Sequence, residues 1–295
     1  MATTKAEQAA LMLMTATVVL WSFSWIVMKS LVDYIGPVDM VASRYVIAFI
    51  FLGAVQYYRK VPFVLPPFLL CAGIAIFQTV AFQVLSQFAL MRGGAGHVVL
   101  LAYTMPFWAV LFSWLILGAR PLSKHWWALA FGLCGLLLVI RPWEGLGNAS
   151  ASLLALLSGI SGGFGLVLSK IMFERHQPHI LNLTVWQLLM GGLITVPLAY
   201  FVPQRELVLN GTLIIGLLYM SVLASGLGWL MWLGVIQRVS TTVASMSSLG
   251  VPVLAILLAW LLLGEQPSYL DLMGVALVVM GLVVVNWPSR RVANT

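Results

Sequence analysis

The chain has 295 residues, 62% of them hydrophobic and 8% charged, with a formal net charge of +7. Soluble domains carry about 25% charged residues, so the composition excludes a water-soluble globular protein and points to lipid as the main solvent. The 15 basic residues are scattered singly or in pairs between apolar runs and form no nucleic-acid-binding patch, and the 2 cysteines, Cys71 and Cys134, offer neither a disulfide framework nor metal spacing.

A membrane span needs about 20 apolar residues. Ten such runs are predicted, at 9–31, 39–58, 67–91, 95–118, 123–141, 151–173, 180–201, 210–236, 240–264 and 268–287. Residues 1–8 are short and polar, and the first run is longer than a signal-peptide core, so it reads as the first membrane helix. The connections are short, leaving no room for a soluble domain. The expected fold is an all-α integral membrane protein.

In the first span, Trp21, Ser24, Trp25 and Met28 share one face, and Lys29 and Asp33 form an i,i+4 pair at its end. Arg44, a turn or more into the second span, is a further candidate for that outer pair. The third span carries Phe82 and the polar set Gln78, Thr79, Gln83, Ser86 and Gln87. An amide in hydrocarbon needs a partner. Gln78 and Gln83 therefore either bond a neighbouring helix or face a wet cavity.

The fourth span presents Ala95, Val99, Ala102 and Pro106 on one face, with Tyr103 and Phe107 as candidate cavity aromatics. In the sixth span Gly162, Gly165, Leu166 and Ser169 share a face, with Phe164 nearby, and suggest a groove opposite the bulky face of the first. Gly159 and Gly163 form a GxxxG that can seat a neighbouring helix or a second subunit. Lys170 and Glu174 close this span as a second i,i+4 pair. These pairs are either solvated helix ends or one gate element each. Trp229, in the eighth span, is another candidate lining aromatic. The ninth span repeats the narrow face as Thr241, Ser245, Ser248 and Pro252. Such a face either packs tightly or lines a cavity, and a proline at its end can act as a hinge.

The two halves repeat each other. Pro106, Trp114, Gly118 and Pro121 return 146 residues later as Pro252, Trp260, Gly264 and Pro267. Lys29, Asp33 and Pro37 return 141 residues later as Lys170, Glu174 and Pro178. The expected units are residues 1–145 and 146–295, five spans each. Five is odd, so the second unit enters the membrane from the opposite side, the inverted-repeat design of carriers with a central site. With the N-terminus cytoplasmic, the inner loops and tails collect 9 basic residues and the outer loops 3. That asymmetry places both termini inside.

The run from Pro252 through Gly264, Glu265, Gln266 and Pro267 to Gly274 and Gly281 resembles the end of an EamA-type repeat. Trp21 and Lys29, followed by Pro37 and Arg44, resemble its beginning. Tandem EamA repeats define ten-helix members of the drug/metabolite transporter superfamily. The resemblance covers nearly the whole chain. It implies an export carrier working by alternating access, commonly in a bacterial inner membrane. One branch exports aromatic amino acids, which the aromatic content here favours. The first repeat departs from the pattern, with Ala119 where the second has Glu265 and Ser22 where the family usually has Gly.

No Asp or Glu lies near the middle of any predicted span. A membrane carboxylate is the usual proton relay, so uniport or exchange is expected. There is no HExxH and no Ser/His/Asp constellation, which argues against an enzyme, and no cofactor is expected. The leading reading is an exporter of small organic metabolites, aromatic or large neutral amino acids first. The alternatives are a multidrug or organic-cation exporter, and a non-transporting membrane scaffold or sensor. The expected partners are a small-molecule substrate and the bilayer, with no nucleic acid, and the chain is a monomer or homodimer in the inner membrane.

Overall fold

The computed structural model describes residues 5–92, 95–140, 143, 149–263 and 268–286, and among them no strand occurs. Helix α1 is Lys5–Leu31, α2 Pro37–Tyr58, α3 Phe68–Arg92, α4 Ala95–Ala102, α5 Met105–Leu117 and α6 Ser123–Ile140. Helix α7 is Ala149–His176, α8 Ile180–Phe201, α9 Gly211–Arg238, α10 Thr241–Ser247, α11 Gly250–Leu263 and α12 Tyr269–Asn286. Each of the ten expected spans corresponds to one helix, except that the fourth (α4–α5) and ninth (α10–α11) are broken once. Gly264, Glu265, Gln266 and Pro267 lie outside the described residues.

Both breaks fall just before the repeated prolines. Tyr103 and Thr104 form a turn ahead of α5, where Pro106 is the second residue. Ser248 and Leu249 do the same ahead of α11, where Pro252 is the third. Proline lacks an N–H and fixes φ, so it is tolerated in a first turn and opposes continuation from the preceding turn. Helix α5 ends at Gly118 (φ +66°), whose N–H reaches Trp114 O at 3.1 Å. That left-handed conformation favours glycine, as it has no Cβ to clash. Asn210 and Ser240 cap α9 and α10 through their side-chain oxygens.

The third span of each repeat carries a π-helical stretch, Ile74–Ala81 in α3 and Tyr219–Leu227 in α9. The wider register leaves carbonyls needing other donors. Tyr45 Oη donates to Thr79 O at 2.9 Å, and Ser225 Oγ donates to Met220 O, five residues back, at 2.7 Å.

Packing between the halves follows the repeat. Helix α1 lies against α9 and α11, and α7 against α3 and α5. Helix α2 pairs with α8, and α6 with α12. At the last contact a Cβ on Gly135 would meet Gly274 O at 2.6 Å, and one on Gly281 would meet Ala128 O at 3.0 Å. These positions exchange under the 146-residue shift, and α6 and α12 run antiparallel across them.

The GxxxG of α7 finds its neighbour within the same chain. A Cβ on Gly159 would lie 2.9 Å from Ala102 O, and one on Gly163 would lie 2.9 Å from Met105 O. The break in the fourth span thus rests on these glycines. Ser22 holds the equivalent place on α1, and its hydroxyl is 3.1 Å from Val251 O at the break in the ninth span. That hydroxyl replaces the expected glycine by bonding the backbone it approaches. Large apolar side chains such as Leu115, Leu193, Ile215 and Leu261 face outward, as lipid contact requires.

Candidate functional site

The repeats meet at a narrow cavity of about 40 Å³. Its wall comes from α1, α2, α3, α7, α9 and the break in the fourth span. Two repeat-related pairs line it together: Trp21 with Gly162, and Gln83 with Trp229. The cavity therefore sits on the relation between the halves, while the side chains at matched places differ in bulk and polarity.

One side is aromatic. Trp21 packs edge-on to Trp229 at 5.2 Å and against Trp232 at 5.4 Å. Trp21 Nε1 donates to Ala224 O at 3.0 Å, which satisfies the indole and holds the ring. Trp25 meets Tyr103 edge-on at 6.2 Å, so the aromatic wall reaches the break in the fourth span. Met28, Phe82 and Met105 add apolar surface.

The other side is polar and carries a full charge. Arg44, 2% exposed, reaches the cavity from α2. Its Nε donates to Ser225 Oγ at 2.7 Å and its Nη1 to Gln83 Oε1 at 3.1 Å. Gln78 Oε1 accepts from Ser169 Oγ at 2.6 Å. Both glutamines thus bond a neighbouring helix and line the cavity. Among the described residues no carboxylate pairs with Arg44: Glu174 lies by Lys170 at 3.9 Å and Asp33 by Arg205 at 2.9 Å. Arg44 is therefore not part of the outer ion-pair set: it lies two helical turns below Pro37, facing inward.

Of the residues singled out from the sequence, Trp21, Trp25, Gln78, Phe82, Gln83, Tyr103 and Trp229 line the cavity. Phe164 turns away and packs edge-on against Phe77 at 4.9 Å and Phe112 at 5.5 Å. Phe107 packs into the neighbouring apolar cluster and approaches Gly132. Ser245 and Ser248 are buried, with hydroxyls bonded back to Thr242 O at 3.2 Å and Ser245 O at 2.6 Å in their own turn. Serines in helices often satisfy themselves this way. The glycine face of α7 is filled rather than grooved. Gly165 seats the backbone of Gln78, and Gly162 alone among its glycines reaches the cavity.

Sequence reasoning missed Arg44 and Trp232 as lining residues. For Arg44 the signal was present: a cation among apolar residues in a predicted span is a functional candidate by default. Trp232 follows Trp229 by three residues, so the two share a helix face.

The ends of the bundle are tied by polar contacts. Lys170 Nζ donates to Val239 O at 3.0 Å and Ile236 O at 3.3 Å, placing a cation at the C-terminus of α9. At the opposite end Arg205 reaches Asp33, and Gln204 Oε1 accepts from the N–H groups of Val38 at 3.0 Å and Asp39 at 3.3 Å, capping α2. Lys29 is exposed beside this end.

The sequence matches the EamA-like transporter family twice, over residues 8–141 and 149–287. The chain belongs to the EamA-like transporter family. It is thus a multi-pass membrane protein of a transporter family. It is 29% identical to a probable amino-acid metabolite efflux pump of Salmonella typhimurium over 294 residues, covering 94% of each chain. It is 24% identical to the uncharacterized transporter YoaV of Bacillus subtilis, covering 92% of this chain and 94% of that one. A solved crystal structure shares the fold with a TM-score of 0.78 at 20% identity, covering 95% of this chain and 96% of the other.

Proposed function

We propose that this EamA-family protein exports small carboxylate-bearing metabolites by alternating access, with aromatic and other large neutral amino acids as its first cargo. The carrying observation is the cavity itself: an aromatic wall faces a buried guanidinium with no acid partner among the described residues. Such a site offers a flat apolar body a stacking surface and a carboxylate a forked donor. The organic-cation alternative is disfavoured because Arg44 would repel its cargo. A static scaffold has no use for a charged cavity between its repeats. The relative named as an amino-acid metabolite efflux pump supports the same substrate class.

The antiparallel, exchange-symmetric contact of α6 with α12 supports an inverted relation of the repeats. The breaks before Pro106 and Pro252 supply two equivalent hinge points. Lys170 with Glu174, and Asp33 with Arg205 beside Lys29, are the corresponding gate elements at opposite ends. The asymmetry of basic residues between loops supports an inner-membrane location with both termini cytoplasmic.

Counterflow into proteoliposomes tests the reading, with phenylalanine, tyrosine, leucine, a nucleoside and phenethylammonium as probes. Accumulation of the amino acids and not of the cation is expected. Uptake of none of them would sink the carrier reading in favour of the scaffold. Pro252→Ala should change the transport rate several-fold while leaving the order of preference among these probes intact. A reordered preference at unchanged rate would instead make Pro252 part of the binding surface.

A further inference from the structure

We infer that the carrier is an exchanger whose empty form returns slowly, because the cavity's cation is compensated by cargo and not by the protein. This rests on the carrier reading above. The architecture does not need a charge at Arg44. Helices α2 and α8 are both 22 residues long, and superposing their ends matches Arg44 with Gln187. Gln187 Nε2 donates to Thr79 Oγ1 at 2.6 Å in the π-helical stretch of α3. Arg44 Nε donates to Ser225 Oγ at 2.7 Å in the π-helical stretch of α9. Thr79 and Ser225 are themselves 146 residues apart. The same contact between α2 or α8 and a π-helical turn is thus made by a neutral amide in one repeat and by a cation in the other.

The cation has a cost that depends on the transport cycle. In an open state, water in the cavity hydrates the guanidinium. In the occluded state between the two openings that water is excluded. A buried ionised group without a counter-charge is strongly disfavoured. Ser225 and Gln83 accept hydrogen bonds but cancel no charge. A cargo carboxylate does both, as a bidentate partner for a planar fork. Loaded carrier therefore occludes readily, and empty carrier does so rarely.

Gln83→Glu tests the charge directly. Gln83 Oε1 already accepts from Arg44 Nη1 at 3.1 Å, so the near-isosteric carboxylate gives the empty site its own counter-ion. Efflux of radiolabelled phenylalanine from loaded proteoliposomes is measured with and without saturating unlabelled phenylalanine outside. For the wild-type protein the ratio of the two rates is expected to be about tenfold or more, equivalent to about 1.4 kcal/mol between empty and loaded return. In Gln83→Glu the ratio should fall toward one, through faster net efflux and weaker binding. A wild-type ratio near one, with robust transport in both modes, overturns the inference and leaves the carrier reading standing. A ratio in Gln83→Glu that stays at the wild-type value, in protein that elutes as the wild type does, also overturns it. No phenylalanine movement by the wild type in either mode, with counterflow of every panel probe absent too, overturns both.

Discussion

Replacing Arg44 with Gln is expected to weaken binding of phenylalanine by about 100-fold, the cost of losing a desolvated charge pair worth about 2–5 kcal/mol. The guanidinium is held at the cavity by Ser225 Oγ and Gln83 Oε1. Gln keeps a polar side chain but brings no charge and no fork. Arg44→Lys should fall between the two, because an ammonium retains the charge and loses the bidentate geometry. The control is phenethylammonium, which has the same ring and no carboxylate. Its weak competition should be unchanged or improved in Arg44→Gln, whereas a misfolded cavity would lose both ligands. Unchanged affinity for phenylalanine in Arg44→Gln would remove the anchor from the carboxylate reading.

The second large effect lies at a packing contact. Gly165→Val should destabilise the protein, lowering its thermal midpoint in detergent by roughly 5 °C. A Cβ at Gly165 would lie 2.6 Å from Gln78 N and 2.7 Å from Gln78 Cα, and backbone cannot move aside as a flexible side chain can. Helix α7 would have to withdraw from α3, parting Ser169 from Gln78 Oε1 and shifting the cavity wall. Gly53, where an added Cβ meets nothing within 4 Å, provides the comparison, and Gly53→Ala should leave the midpoint unchanged. Equal behaviour of the two variants, read by fluorescence-detected size exclusion across a temperature series, would contradict close packing of α7 on α3.

The repeats explain why some site residues were legible in advance and others were not. Trp21, Trp25, Gln78 and Gln83 stood out as bulk or polarity inside apolar runs, and all four line the cavity. Phe164 and Phe107 stood out equally and turn elsewhere, because composition does not tell which way a helix is rotated about its axis. Ser245 and Ser248 are on one face as their spacing predicts, yet their hydroxyls are consumed within their own helix. Arg44, a turn or more into the predicted second span, reads from the sequence as a candidate for the outer ion pair, whereas the fold buries it at the cavity. Helix α2 starts at Pro37 rather than at residue 39, and two further residues carry Arg44 deeper than a helix-end charge should lie.

The sequence alone determined the solvent, the number of spans, the duplication and the repeated prolines as candidate hinges in the fourth and ninth spans. Those properties depend on chain-local physics: apolar length, spacing and the missing N–H of proline. Tertiary structure alone decided which face of each helix looks inward, that α7 glycines seat the broken fourth span, and that one buried cation meets an aromatic wall. Those outcomes depend on helix rotation and on contacts between residues as far apart as Arg44 and Ser225, which no local pattern encodes.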